Sequence, residues 1–163
     1  MTKKIAQLGL FLALALILAY VEFLIPLSFG IPGIKLGLPN LIVVILLYRN
    51  NTKEALLINI LRIVLSGFLF SNLYTILYAL AGALFSFIAM MIGRRMRCFS
   101  VIGVSVLGGV FHNIGQIIVA MIVVNTVYVG YYVPFLIVAG TVTGALLGFV
   151  AMELILYLNR DTN

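Results

Sequence analysis

The chain has 163 residues, of which 64% are hydrophobic and 9% are charged, and ten Lys and Arg against four Asp and Glu give a net charge of +6. Soluble domains average about 25% charged residues, so this composition excludes an ordinary globular enzyme and predicts an integral membrane protein. One Cys, one His and one Asp leave almost no material for a disulfide framework, a metal centre or a Ser-His-Asp triad. We therefore expect no catalytic residues, no metal and no cofactor.

Five apolar runs are about long enough to cross a hydrocarbon core of about 30 Å, which takes about 20 helical residues. They are residues 5–25, 54–70, 73–93, 99–124 and 133–158. A sixth run, residues 39–48, is equally apolar but covers only roughly 15 Å as a helix. The sequence thus predicts one membrane domain, residues 1–163, folded as an all-α bundle of six transmembrane helices.

The segment before the short run, residues 26–38, contains three Gly and two Pro and cannot form a continuous helix. If the short helix crosses only half of the membrane, part of this segment dips below the outer surface. Irregular backbone at that depth is tolerated only when it is buried in protein or lines a wet cavity. We favour a re-entrant, gating loop that caps an outward-facing pocket; the alternative is a surface loop over a shallow, tilted helix.

The basic residues lie in small clusters between the apolar runs, as in membrane proteins and unlike a nucleic-acid-binding surface. With the N-terminus inside, eight of the ten fall on the cytoplasmic side, whereas Lys35 is outside and Arg62 lies within a helix. This asymmetry needs an even number of crossings, so it supports counting the short run as one. We expect a multi-pass plasma-membrane protein with both termini in the cytoplasm.

Arg62 is predicted to lie near the middle of the third helix, on one face with Asn59 and Ser66. Charged groups at this depth are costly and usually functional. Two interpretations stay open: the guanidinium pairs with a carboxylate or carbonyl of the bundle, or it receives an anionic ligand. Glu22, near the outer end of the first helix, is a candidate counter-charge to Lys35 or Arg62.

His112, Asn113 and Gln116 form a polar patch in the fifth helix, and their spacing predicts that all three lie on one side of it. Hydrogen bonding between helices and ligand contact are both open for them. Tyrosines crowd the predicted outer end, where an aromatic interface belt or a pocket wall explains them; they are Tyr74, Tyr78, Tyr128, Tyr131 and Tyr132.

Small residues recur every fourth position in two helices, as Ala15 and Ala19 in the first and as Gly140, Gly144 and Gly148 in the last. Such stripes let helices approach closely. Packing within the bundle explains both, and a groove for a partner subunit is the alternative, more so for the first helix.

Two segments carry a resemblance to a known family, Gly33-Ile-Lys-Leu-Gly-Leu-Pro-Asn40 and Gly108-Gly-Val-Phe-His-Asn-Ile-Gly-Gln116. With six helices, cytoplasmic termini and the Ala-x-x-x-Ala helix, the whole chain is similar to the substrate-binding S components of energy-coupling-factor (ECF) transporters. More specifically, it resembles the Gx transporter family, also labelled heptaprenyl diphosphate synthase component I.

The resemblance implies a subunit that captures a small vitamin-like or anionic molecule from outside and pairs with a transmembrane coupling protein and two ABC-type ATPases. It implies docking through Ala15 and Ala19 and gating by residues 30–40. The chain has no G-x-x-x-x-G-K-[ST] loop of its own. Together with the polar residues above, we expect substrate contacts from Lys35, Asn40, Arg62, Tyr78, His112, Asn113 and Gln116.

The alternative function is a non-catalytic membrane companion of prenyl diphosphate synthesis. Prenyl-chain elongation uses Asp-rich motifs that bind magnesium-diphosphate, and the only Asp of this chain is Asp161. We therefore expect that the chain is not the catalytic subunit.

Overall fold

A computed structural model describes residues 2–25, 36–49, 51–96 and 98–160. Within these ranges all regular structure is helical, which confirms the all-α class. The elements are α1 (Thr2–Leu24), α2 (Asn40–Tyr48), α3 (Thr52–Phe70), α4 (Leu73–Arg95), α5 (Val101–Val124) and α6 (Val133–Arg160), with a 3-10 helix (Val127–Tyr132) leading into α6. The predicted re-entrant loop falls mostly on residues 26–35, outside the described residues.

Four helices are long and apolar enough to cross a membrane: α1, α4, α5, and α6 together with its leading 3-10 helix. This supports a membrane protein. The 19-residue α3, which carries three charged side chains, and the nine-residue α2 are not among them, so the count of six crossings and the orientation stay predictions.

The packing of α5 against α4 and α6 is the most extensive in the bundle, and glycines make it possible. A Cβ on Gly140 of α6 would lie 2.8 Å from the carbonyl oxygen of Gly109, and a Cβ on Gly144 would lie 2.7 Å from the Cα of Val106. The backbones of α5 and α6 therefore touch, and the glycine stripe of the last helix is used inside the bundle.

The α4–α5 contact is built in the same way. A Cβ on Gly115 of α5 would lie 2.8 Å from the carbonyl oxygen of Ala81, and one on Gly82 of α4 would lie 2.8 Å from that of His112. Because backbone approaches backbone in both contacts, α4, α5 and α6 form one closely packed layer.

Helices α1 and α3 run in the same direction. At one end Lys4 forms an ion pair with Glu54 across 2.5 Å, and at the other the rings of Tyr20 and Phe70 are 5.0 Å apart. The chain must therefore return between the two helices. We call the end at which α3 begins and α4 ends the basal end, and the opposite end the apical end.

Helix α2 lies inside the bundle, in contact with α1, α3, α5 and α6. Its six residues Ile42–Leu47 are consecutive and all at most 5% exposed. A helix that is apolar all round is stable only when it is surrounded, so α2 forms the core on which the other helices pack. Its nine residues cover about 13 Å.

Replacing Gly144 by Ala is expected to destabilise the protein, because the added methyl group meets the α5 backbone and overpacking costs about 1–3 kcal/mol. Thermal unfolding in detergent, followed by circular dichroism, measures the change. The matched control is Gly9→Ala in α1, where a Cβ meets nothing within 4 Å; it should be neutral or slightly stabilising, since Ala is the better helix former. Equal melting temperatures for the two variants would contradict the close seam.

Candidate functional site

Arg62 is half-buried in the middle of α3 and is held by its own helix. Its Nε and Nη2 donate to Oδ1 of Asn59 at 3.0 and 2.9 Å. Asn59 is 1% exposed, so a fully buried amide orients the guanidinium from one turn below. A guanidinium has five N–H donors, and Asn59 occupies two of them.

The carboxylate of Glu22 connects this arginine to the chain that leads into α2. Its Oε1 accepts a hydrogen bond of 2.6 Å from the backbone N–H of Gly37, and it attracts the Arg62 guanidinium electrostatically. Gly37 has φ +73, a left-handed conformation that favours glycine. Glu22 was expected as a counter-charge to Lys35 or Arg62; in the structure it interacts with Arg62 and also holds the residues before α2.

Asn40, the first residue of α2, continues from this turn, because its backbone N–H donates to the carbonyl oxygen of Gly37 at 2.8 Å. Its side-chain amide lies against Gly108 of α5, where a Cβ would come within 3.2 Å of Nδ2.

Ser66, which was expected on the same face as Arg62, donates to the carbonyl oxygen of Ile63 within α3 at 3.3 Å. We call Glu22, Gly37, Asn59 and Arg62 the Arg62 group.

A second group lies between α4 and α5. A Cβ on Gly82 would lie 2.9 Å from both Cε1 of His112 and Cγ of Gln116, so these two side chains pack on that glycine. Tyr78 is half-buried one turn away on α4 and shares this side of the helix.

Asn113 faces a different neighbour. It is 6% exposed, and its Nδ2 donates to the carbonyl oxygen of Leu136 in α6 at 2.8 Å. The spacing predicts that the three residues lie on one side of α5, but His112 and Gln116 contact α4 whereas Asn113 bonds to α6. The reason is that α5 lies between α4 and α6, and neighbouring positions on a helix point in directions about 100° apart. Asn113 joins two helices through a buried hydrogen bond.

The two groups lie at similar depth. Ile63, next to Arg62, packs with Ala83 of α4, and the adjacent Gly82 faces His112 on α5. The structure therefore brings Glu22, Gly37, Asn59 and Arg62 together and places His112 and Gln116 beyond α4. Lys35 lies outside the described residues.

The predicted docking residues differ in exposure. Ala15 is 1% exposed and belongs to the core with α2 and α3, whereas Ala19 is half-buried. A small side chain at position 15 lets α1 approach α2, so packing within the bundle explains Ala15. Docking of a partner through Ala15 would require α1 to separate from that core.

Three of the tyrosines, Tyr74, Tyr128 and Tyr131, are more than 60% exposed. The rings of Tyr128 and Tyr131 stack with centroids 6.2 Å apart. Such exposed rings at the end of apolar helices are typical of an interface belt, whereas Tyr78 lies apart from them.

Sequence reasoning missed two features. The backbone N–H of Gly37 as partner of Glu22 was not foreseen, although a glycine preceding a helix is a signal for a left-handed turn. The hydroxyl of Ser86 in α4 is buried and has no hydrogen-bond partner among the described residues. Among the residues that the structure describes, no three His, Cys, Asp or Glu side chains lie close enough together to hold a metal ion.

The family model for heptaprenyl diphosphate synthase component I covers residues 11–154. The chain belongs to this family. Searches of curated proteins and of solved structures found no match.

The family match and the long apolar helices together make this a membrane protein of the heptaprenyl diphosphate synthase component I family. The matched region includes the Arg62 group and the pair His112 and Gln116.

Glu22 and Arg62 are expected to be energetically coupled. Glu22→Gln removes the charge that compensates Arg62 and should lower the unfolding free energy, because the half-buried guanidinium loses its counter-charge. The double variant Glu22→Gln/Arg62→Gln removes both charges and should cost less than the sum of the single variants. Unfolding free energies from SDS titration in mixed micelles measure this double-mutant cycle; strictly additive single effects would exclude the coupling.

Asn113→Leu is expected to lower the unfolding free energy by about 1–3 kcal/mol, because the buried carbonyl of Leu136 loses its donor. The same titration measures the loss. Thr141→Val is the control on α6, since Thr141 is exposed and bonds only to its own helix at 2.8 Å. If both variants are equally stable, Asn113 does not join α5 to α6.

Proposed function

We propose that this member of the family is the substrate-binding subunit of an ECF-type transporter, which captures a small anionic molecule from the outer side of the plasma membrane. The observation that carries the proposal is the Arg62 group: an arginine in the middle of α3, oriented by a buried amide and compensated by a carboxylate that also bonds the chain entering α2.

The chemistry of the group suits exchange of one anion for another. A charge inside a bundle persists only when it is paired, and Glu22 and Asn59 provide that pairing without a ligand. A carboxylate or phosphate of the ligand forms stronger, charge-assisted bonds with a guanidinium, often two at once. Such a ligand replaces Glu22 as the counter-charge of Arg62.

This exchange couples binding to the segment before α2. While Glu22 holds the N–H of Gly37, the end of that segment is attached to α1. When the ligand takes the guanidinium, it removes the attraction between Arg62 and Glu22, so binding at Arg62 acts on the residue that holds Gly37. The gating role expected of residues 30–40 rests on this coupling.

The helix directions support the topology that the proposal needs. Because α1 and α3 run parallel, the chain between them crosses back, and α2 supplies the return in the basal half. Six crossings then place both termini on the same side, in agreement with the distribution of the basic residues.

Energy comes from partners in this proposal, namely a transmembrane coupling protein and two ABC-type ATPases. The outer side of α1 offers them an apolar surface, because Ile5, Leu10 and Ile17 are all more than half exposed. Since Ala15 is buried, this surface and Ala19 replace the pair Ala15 and Ala19 as the proposed docking region.

Native mass spectrometry after gentle extraction tests the proposal. The wild type should carry a small anionic ligand at near-stoichiometric occupancy, and the charge-neutral variant Glu22→Gln/Arg62→Gln should lose it by at least tenfold. Lys53→Gln, an exposed basic residue of the same helix, is the control and should keep the ligand. Copurification of a coupling protein and ATPases with the wild type would support the transporter assignment.

Equal ligand occupancy in the charge-neutral variant and in the Lys53→Gln control would overturn the role of Arg62. The melting temperature of each variant, measured in parallel, separates lost binding from lost folding.

The family description favours one other function, a non-catalytic companion of a prenyl diphosphate synthase. The absence of any Asp except Asp161 from the sequence argues for a supporting role. Deletion of the protein then lowers prenyl synthase activity without any uptake defect, whereas the transporter proposal expects the opposite result.

A further inference from the structure

The basal end of the bundle contains a cavity that is separate from the Arg62 group. It has a volume of about 340 Å³ and lies between the end of α2, the start of α3 and the end of α4, lined by Leu47, Thr52, Met91, Arg94 and Arg95. We propose that this cavity binds a phosphate or diphosphate group.

The two arginines supply the charge. Arg94 is half-buried, and its guanidinium carbon lies 5.5 Å from the centroid of the Tyr48 ring, a cation–π contact that fixes the side chain at the cavity wall. Arg95 is the next residue and lines the same space. Two planar guanidinium groups around one cavity match the several acceptor oxygens of a phosphate.

The remaining lining residues complete an amphipathic site. Thr52 provides a hydroxyl, which donates or accepts a hydrogen bond, while Leu47 and Met91 provide an apolar wall. Glu54, the acidic residue of the first turn of α3, forms an ion pair with Lys4 of α1. The charge of Glu54 is therefore compensated by Lys4, and Glu54 is not among the residues that line the cavity.

Orientation in the membrane does not account for this arrangement. The positive-inside rule needs only a basic charge near the end of a helix, and exposed side chains such as Lys53 satisfy it. Here one arginine packs on an aromatic ring, a second arginine lies beside it, and both line a cavity that has an apolar side. This geometry suits the binding of an anion. The phosphate has two possible sources, a soluble phosphate compound or the headgroup of an anionic phospholipid.

The test uses the full-length protein in detergent and two probes. Inorganic pyrophosphate represents the soluble source, and mixed micelles containing phosphatidylglycerol, compared with phosphatidylcholine, represent the lipid source. Affinity is measured by microscale thermophoresis for pyrophosphate and by native mass spectrometry for retained lipid. We expect the double variant Arg94→Gln/Arg95→Gln to weaken binding of the effective probe by at least tenfold.

The matched control is Arg49→Gln/Lys53→Gln, which removes the same charge from exposed positions at the same end but leaves the residues that line the cavity intact. It should retain binding within about twofold. Arg95→Gln alone, at an exposed position, should weaken binding at least threefold and covers the case in which the double variant does not fold.

Each outcome decides the proposal. Binding of pyrophosphate or retention of phosphatidylglycerol that depends on the cavity arginines supports it and identifies the source. Equal losses in the cavity and control variants show a diffuse effect of charge and overturn it, as does the failure of the wild type to bind either probe. Because the Arg62 group is unchanged in all these variants, the result does not depend on the proposed transport function.

Discussion

The fold depends on how closely α5 approaches its two neighbours, and that distance is set by positions that carry no side chain. Gly109 and Gly140 bring the backbones of α5 and α6 into contact, and Gly82 and Gly115 do the same for α4 and α5. In a bilayer, where burial of apolar surface does not drive helices together, such contacts supply the dispersion energy that holds them. The layer of α4, α5 and α6 then serves as the wall on which the other three helices assemble.

Polar groups are placed at the borders of this layer. Asn113 fastens α5 to α6, and His112 with Gln116 fills the space that Gly82 opens on α4. Arg62 lies on the other side of α4, where less tightly packed helices meet and where Glu22 reaches the chain entering α2. The bundle therefore has two parts. In α4, α5 and α6 the helices pack closely through glycines, and between α1 and α3 polar side chains hold a charge. The exchange of anions that we propose belongs in the second part, because it needs groups that change partners.

Much of this arrangement follows from the sequence, for physical reasons that also show where prediction ends. The positions of the helices are predictable because the hydrocarbon thickness sets the length of the apolar runs. The contact between Asn59 and Arg62 is predictable because residues three apart lie nearly one helical turn apart. That Asn113 contacts α6 while His112 contacts α4 is not predictable, since it depends on which helices lie on either side of α5. The bond between Glu22 and Gly37 needs a turn that only tertiary structure reveals. Ala15 shows the same limit: its spacing from Ala19 suits a partner or a neighbour equally, and only its burial decides.

The shortness of α2 has a consequence for how the protein enters the membrane. A nine-residue apolar segment is well below the roughly 17 residues that lipid alone can hold across a bilayer, so α2 cannot be inserted as an independent unit after α1 leaves the translocon. Its most extensive contacts are with α3 and α6, which are synthesised later. In the proposed topology, the helices therefore do not insert one after another in chain order. Helix α2 becomes stable in the membrane only after α3 and α6 have inserted, so the core of the protein forms last.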